Sequence, residues 1–288
     1  MEKLYVNNNG ELLENNGPTL EAGNRGHLYG DGLFESIRVL NGKPINMEVH
    51  ILRLIEGMTV LKMRVPSFFT TAFFTERIQE LIDHSNIKKG GRVRLSIDRS
   101  RGGTYRPETN EVSYFIEVYP IETNDFILNN KGWEIDLYTS IRKENNILAN
   151  FKTKNGLVYV MGAIEAKEKG LDDVLITNSK GGVLEGTSSN LFVVSNGVLY
   201  TPGLEDGCLG GTMRMTIINL AIENGIKVYE SSITPQNLLI ADEVFLTNAI
   251  NGIVWAGGYR TKRYVNANAL KFINLLNNYY TNKILSPK

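Results

Sequence analysis

Residues 150–170 read "NFKTKNGLVYVMGAIEAKEKG" and place two lysines, Lys152 and Lys154, at the mouth of an expected amphipathic helix over about 155–169. A lysine becomes a nucleophile toward a carbonyl once its amine is neutral, which burial or a neighbouring charge can arrange. Most lysines are solvated surface charges, so the pair means something only through its surroundings. On the C-terminal side, "WEIDLYTS", "DVLITNS", "NLFVVSNGVLY" and "EVFLTNAI" read as strands, interleaved with that helix and two more at 212–224 and 267–279. Such alternation points to an α/β domain. On the N-terminal side, "KLYVNNNGELL" reads as a hairpin about an Asn-Gly turn, and "GLFESIRVLNGKPINM" as a second one. "MEVHILRLIEGMTVLKM" and "SFFTTAFFTERIQELIDHSNI" have helical spacing, the latter with a serine, Ser67, able to cap its first turn. "RVRLSIDRS" and "VSYFIEVYP" read as strands joined by Arg99–Glu111, too long for a tight hairpin and therefore a candidate functional loop. The aperiodic "YPIETNDFILNNKG" supplies a linker. The predicted organisation is a smaller α+β domain over 1–122, a linker over 123–130 and an α/β domain over 131–288.

Composition narrows the function classes. A chain of 288 residues exceeds the usual size of one core. Basic and acidic residues both total 31, which leaves no net field to attract nucleic acid or an anionic membrane. The single Cys208 cannot form an internal disulfide, and no run approaches the roughly 18 apolar residues of a membrane span. The start "MEKLYVNNNG" has no apolar stretch suited to a signal peptide, so the cytoplasm is the expected compartment. His27, His50 and His84 have no metal-ligand spacing, and no metal is expected.

Four further stretches can carry chemistry. "GGVLEGTSSNLFVV" sets Glu185 at a strand end beside small hydroxyl residues, which leave room for a flat ligand. "DGCLGGTMRMTIINLAIENG" is a glycine-rich turn running into a helix, whose first N–H groups suit a phosphate. "LTNAINGI" runs from a strand into a polar loop, and Arg53 in "HILRL" is either a snorkelling helix residue or a phosphate clamp. "GHLYGDG" lacks the context of a dinucleotide fingerprint and reads as a tight strand entry.

Taken in order, "NRGHLYGDGLFESIRVLNGK", "HILRL", "FKTKNGLVYVMGAIEA", "LEGTSSNLF", "TPGLEDGCLGGTMR" and "ADEVFLTNAI" resemble the class IV aminotransferases over nearly the whole chain. These fold-type IV enzymes use pyridoxal 5′-phosphate and include branched-chain and D-amino acid aminotransferases and aminodeoxychorismate lyases. The resemblance implies two domains with the site between them and a homodimer. It also separates the two lysines. Lys152 and Asn155 match the Lys-x-x-Asn pattern of the D-amino acid and lyase branches, and Glu165-Ala166 the Glu-Ala pair farther along, which implies that Lys152 carries the cofactor and leaves Lys154 a bland role. By the same matching Arg53 clamps the phosphate and belongs to the site more than to the core. Gly211, Thr212 and Met213 hold that phosphate at the helix start, and Asn248-Ala249 closes the cup. Glu185 faces the pyridine nitrogen, with Ser189 and Asn190 beside it.

Within the family the votes divide. Tyr29 and Phe34 resemble the aromatic pair of the branched-chain enzymes, whereas Gly156 stands where those enzymes carry a tyrosine. The "RSRGGTYRP" loop resembles that of the lyases, and Arg106, with Arg99 or Arg101, is a candidate for the substrate carboxylate. Glu35 and "EGTSSNLF" favour transamination between an amino acid, branched-chain-like or of D configuration, and a 2-keto acid. Aminodeoxychorismate lyase is the alternative; a non-catalytic cofactor binder fits less well, because it needs no Glu185.

Overall fold

In a computed structural model the structure describes residues 4–17 and 19–285; Lys3, which opens the first expected hairpin, lies outside them. The chain divides into two compact units, unit 1 over 1–125 with 151–155 and unit 2 over 126–150 with 156–288.

Unit 1 contains β1 (Tyr5–Asn8), β2 (Glu11–Glu14), α1 (Arg25–Tyr29), β3 (Gly32–Leu40), β4 (Lys43–Pro44), α2 (Met47–Val60), α3 (Thr71–His84), β5 (Gly90–Arg99) and β6 (Val112–Ile121). The strands form one antiparallel sheet in the order β2-β1-β6-β5-β3-β4. Both expected hairpins close on Asn-Gly turns, with φ of 51° and 96° at Asn9 and Gly10 and of 48° and 69° at Asn41 and Gly42. Positive φ at both turn positions matches the right-handed twist of the flanking strands. Along β3, Leu33, Ile37 and Val39 alternate onto one face and meet Leu54 and Met58 of α2 and Phe74 and Ile78 of α3 in the core. Two local expectations change. Thr70, rather than Ser67, caps α3 by accepting from the Phe73 amide. "GHLY" lies in α1, capped by Asn24 and closed by Gly30 at φ 65°, so the strand entry begins only at Gly32.

Unit 2 contains β7 (Trp133–Lys143), α4 (Leu157–Glu168), β8 (Asp173–Asn178), β9 (Val183–Glu185), β10 (Asn190–Ser195), β11 (Val198–Thr201), α5 (Thr212–Glu223), β12 (Val228–Glu230), α6 (Pro235–Ile240), β13 (Glu243–Asn248), β14 (Gly252–Tyr259), β15 (Lys262–Arg263) and α7 (Ala267–Leu285). Its strands run β10-β13-β14-β7-β8-β9, and β9 pairs back onto β10 through Glu185 and Asn190, which closes the path into a ring. The β14–β7 and β7–β8 pairs are parallel and the other pairs of the ring antiparallel. Closure leaves no sheet edge within the ring and fixes the position of Glu185 at its seam.

The units part between Asp125 and Phe126, inside the expected linker, but residues 151–155 interrupt the expected second domain by belonging to unit 1. The cause is backbone pairing. Phe34 N–H donates to the Lys152 carbonyl (3.0 Å), Lys154 N–H donates to the Gly32 carbonyl (2.9 Å), and Leu33 and Thr153 form an antiparallel bridge. Gly57 of α2 gives this segment room, since a Cβ there would lie 3.3 Å from the Phe151 ring.

Candidate active site

In unit 1 the alternation of β3 turns Glu35 onto the core side, where it is 1% exposed. His50 and Arg53, three residues apart on α2, converge on it. His50 Nδ1 lies 2.7 Å from Glu35 Oε2; Arg53 Nε donates to Oε1 at 2.8 Å, and Arg53 Nη2 donates to Oε2. Burial alone would raise the Glu35 carboxyl, but the Arg53 charge and the His50 hydrogen bond outweigh it and hold the pKa at about 2. Burial lowers the His50 pKa, against the opposing pull of Glu35. The bidentate geometry expected of Arg53 toward a phosphate is therefore made first to a carboxylate. Arg53 is also part of the core's electrostatics, a role the expectation that it belongs to the site more than to the core had put second.

On the other side of β3, Phe34 lies beneath two cations, with Arg94 Cζ 3.9 Å and Lys152 Nζ 4.5 Å from its ring centroid. Lys154 pairs with Asp98 at 2.5 Å, so its role is an ion pair and not a solvated charge. Asn155 Nδ2 reaches the Gly30 carbonyl at 3.4 Å. Arg99 is buried and committed to this unit: Nε donates to Asp31 at 2.9 Å, Nη2 to the Leu61 carbonyl at 2.7 Å and Nη1 to Asn110 at 2.6 Å. Those bonds withdraw Arg99 as a substrate ligand. Arg25 donates to the same Asp31 oxygen and to the carbonyls of Gly102 and Thr104, and thereby holds the 100–107 loop. The rings of Tyr29 and Tyr105 lie tilted against each other at 52°, 5.6 Å between centroids. Arg101 makes an exposed pair with Glu21 at 3.2 Å, and Arg106 is exposed.

In unit 2 Glu185 is 2% exposed and its carboxylate is held from four directions. Lys143 Nζ (2.7 Å) and Tyr159 OH (2.9 Å) donate to Oε1, while Leu209 N–H (2.8 Å) and, more weakly, Asn190 Nδ2 (3.5 Å) donate to Oε2. Burial and the Glu185 charge push the Tyr159 phenol far above its ordinary value, so it acts only as a donor. The turn after Glu185 is shaped by Asp173, which accepts from the Thr187 amide and, at 2.7 Å, from the Thr187 hydroxyl. A Cβ at Gly186 would lie 2.5 Å from that carboxylate, so only glycine fits. Lys143, Tyr159 and Asp173 carried no sequence signal of their own, because what singles them out is proximity to a turn far along the chain.

The residues of unit 2 fit a phosphate-bearing aromatic cofactor. α5 starts at Thr212 behind Gly211 with no side-chain cap, and a Cβ at Gly211 would come within 1.8 Å of Asn190 Oδ1. The hydroxyls of Ser189, next to Asn190, and of Thr247, the residue paired with Asn190 across β10 and β13, are buried without a hydrogen-bond partner among the described residues. Donors of this kind, with an open helix start, suit an anion. Asn248 accepts from the amides of Ile250 (3.0 Å) and Asn251 (2.8 Å) and so shapes the loop that contains Ala249. Among the described residues no group of side chains could hold a metal ion.

Comparison with known proteins adds the family. The profile described as "Amino-transferase class IV" matches residues 32–256. The chain belongs to the class IV aminotransferase family. It is 31% identical over 256 residues to a Methanocaldococcus jannaschii protein named "Putative branched-chain-amino-acid aminotransferase", covering 88% of this chain and 86% of that one. It is 29% identical over 252 residues to a D-alanine aminotransferase of Bacillus licheniformis, covering 85% of each. A crystal structure of the branched-chain aminotransferase of Thermoproteus uzoniensis with norvaline superposes with a TM-score of 0.88 at 24% identity, over 98% of this chain and 95% of the other, which shows the shared fold. Class IV aminotransferases use pyridoxal phosphate, and the family is one of transaminating enzymes with lyase relatives.

The buried Glu35–His50–Arg53 group makes unit 1 acid-sensitive in two steps. As pH falls through about 6.5 the unfolded chain protonates His50 while the folded chain resists, and below about 4.5 the same holds for Glu35; both remove stability on acidification. Melting temperatures scanned from neutral pH down to about pH 2.5 should therefore fall, and Glu35→Gln should flatten the lower part of that fall. Parallel curves for variant and wild type below about pH 4.5 would exclude Glu35 as the source.

Proposed function

We propose that the chain moves an amino group between an amino acid, branched-chain-like or of D configuration, and a 2-keto acid, with Lys152 carrying pyridoxal phosphate and Glu185 facing its ring nitrogen. The observation that carries this is the placement of Lys152, a loop lysine whose backbone is pinned to β3 and whose Nζ lies over Phe34. Pyridoxal phosphate, when bound, supplies a carbonyl that a primary amine can capture and a ring that takes up the electrons left when a proton departs from the substrate carbon. Lys152 Nζ has the chemistry for attachment and, once released, for holding and moving that proton. Glu185 offers a carboxylate already oriented by Lys143, Tyr159 and the Leu209 amide, so it need not reorganise during the reaction. The amides at the start of α5, at Thr212 and Met213, with Ser189, Thr247 and the Asn248-Ala249 loop, support a phosphate. Arg53, its guanidinium oriented by Glu35, is the cation proposed for it. Tyr29 and Phe34 are proposed to line the substrate pocket, and Arg106 to meet the substrate carboxylate.

We also infer a cytoplasmic homodimer. Leu157, Val160, Met161 and Ile164, spaced along one face of α4, are 77%, 51%, 44% and 44% exposed. Such an apolar stripe favours burial against a second copy. The single cysteine, a buried thiol, suits a reducing compartment. Sedimentation at about twice the 32.2 kDa chain mass is expected, and a monomer at micromolar concentration would contradict the dimer.

The activity is tested by incubating the protein with branched-chain and D-amino acids plus 2-oxoglutarate or pyruvate, and separately with aminodeoxychorismate. Keto acid is the expected product; 4-aminobenzoate instead would move the assignment to the lyases. With the active substrate, Glu185→Gln should lower kcat by at least about a hundredfold while affecting substrate affinity less, because the carboxylate matters most as charge develops. A near wild-type rate would return Glu185 to a purely structural turn.

A further inference from the structure

We propose that the Lys154–Asp98 ion pair is a latch that positions Lys152, so that Lys154 serves the reaction without touching the reacting atoms. This rests on the assignment of Lys152 as the cofactor-bearing lysine. Residues 151–155 leave unit 2 for five residues and pair with unit 1 through backbone hydrogen bonds at Phe34 and Lys154, with the bridge between Leu33 and Thr153 and a long Asn155 contact to the Gly30 carbonyl (3.4 Å). So short a pairing is weak by itself. Lys154 adds the side-chain anchor: its Nζ lies 2.5 Å from Asp98 Oδ1, with the two side chains 16% and 4% exposed.

The surroundings of Asp98 are shaped for that contact. Asp98 lies on β5 directly opposite Gly32 of β3. A Cβ at Gly32 or at Gly26 of α1 would come within 2.2 or 2.1 Å of Asp98 Oδ1, so two glycines make the space that the carboxylate occupies. The other oxygen accepts from Asn24 Nδ2 at 3.0 Å, which fixes the carboxylate's orientation. Asn24, the cap of α1, thus ties the helix start, the strand entry and the lysine segment to one acid. A shielded ion pair with a fixed carboxylate holds its partner more firmly than an exposed one. Because Lys152 lies two residues from Lys154, with its own carbonyl bonded to β3, loss of the latch frees the backbone that aims Nζ.

Hydrogen exchange and cofactor uptake test this together. Lys154→Met removes the cation, and Lys154→Met/Asp98→Asn removes the pair without leaving a buried unpaired charge, which guards against a failure to fold. In both, the amides of Phe34 and Lys154 should exchange at least about tenfold faster, while that of Leu95 in the middle of β5 exchanges as in the wild type. Uptake of added pyridoxal phosphate, followed by its visible absorbance, should slow by about tenfold, and Lys154→Arg, which keeps the pair, should restore both readouts. Unchanged exchange in the double variant overturns the latch, and faster exchange with unchanged uptake reduces it to a structural contact. Attachment of the cofactor to a lysine other than Lys152 in the wild type overturns the Lys152 assignment instead, and the exchange result stands apart from it.

Discussion

Strand β3 cannot shift without disturbing chemistry on both of its sides. Its core side presents Glu35, whose carboxylate is neutralised by Arg53 and hydrogen-bonded to His50 in a setting nearly free of solvent. Removing Arg53 would strand the buried Glu35 charge, at a cost of about 3–5 kcal/mol, so α2 and β3 behave as one body. Its other side presents Phe34 to Lys152, and its backbone carries the 151–155 segment. Register along β3 therefore sets the height of the lysine, and a slip by one residue would turn Glu35 outward and Phe34 into the core.

Unit 2 solves a different problem, that of keeping a carboxylate ready inside a closed ring of strands. β9 is only three residues long, and Glu185 ends it at the point where the ring closes on β10. Lys143 offsets its charge, Tyr159 and Leu209 fix its direction, and Asp173 shapes the glycine turn that follows. Each donor comes from a different element, so the orientation of the acid is enforced by the fold rather than by local sequence. Cys208 shares this environment; burial, with the Glu185 charge adding to it, pushes its thiol up to about 12, which keeps it inert beside the site.

What could be read from the sequence follows the range of the interaction. The Asn-Gly hairpins, the amphipathic α2 and α3 and the glycine-rich entry to α5 are local patterns, and the structure has them where the patterns lie. The cap of α3 is Thr70 rather than Ser67, because the helix begins at Thr71 and leaves Ser67 three residues short of the cap position. Short α1 was hidden by Gly26 within it and Gly30 directly after it. The carboxylate partners of two arginines, Asp31 for Arg99 and Glu35 for Arg53, had no local signal, because an arginine's partner is set by tertiary pairing. Lys143 and Tyr159 lie 42 and 26 residues from Glu185, beyond the reach of any local pattern. The excursion of 151–155 into unit 1 is also long-range, since Leu33 and Thr153 are distant in the chain.

The proposed function singles out Lys152 among the lysines of the chain. Reconstitution with pyridoxal phosphate, reduction with sodium borohydride and mass mapping of the labelled peptide read this directly. The label is predicted on Lys152 alone; a label on Lys154, Lys143 or any other lysine would contradict it.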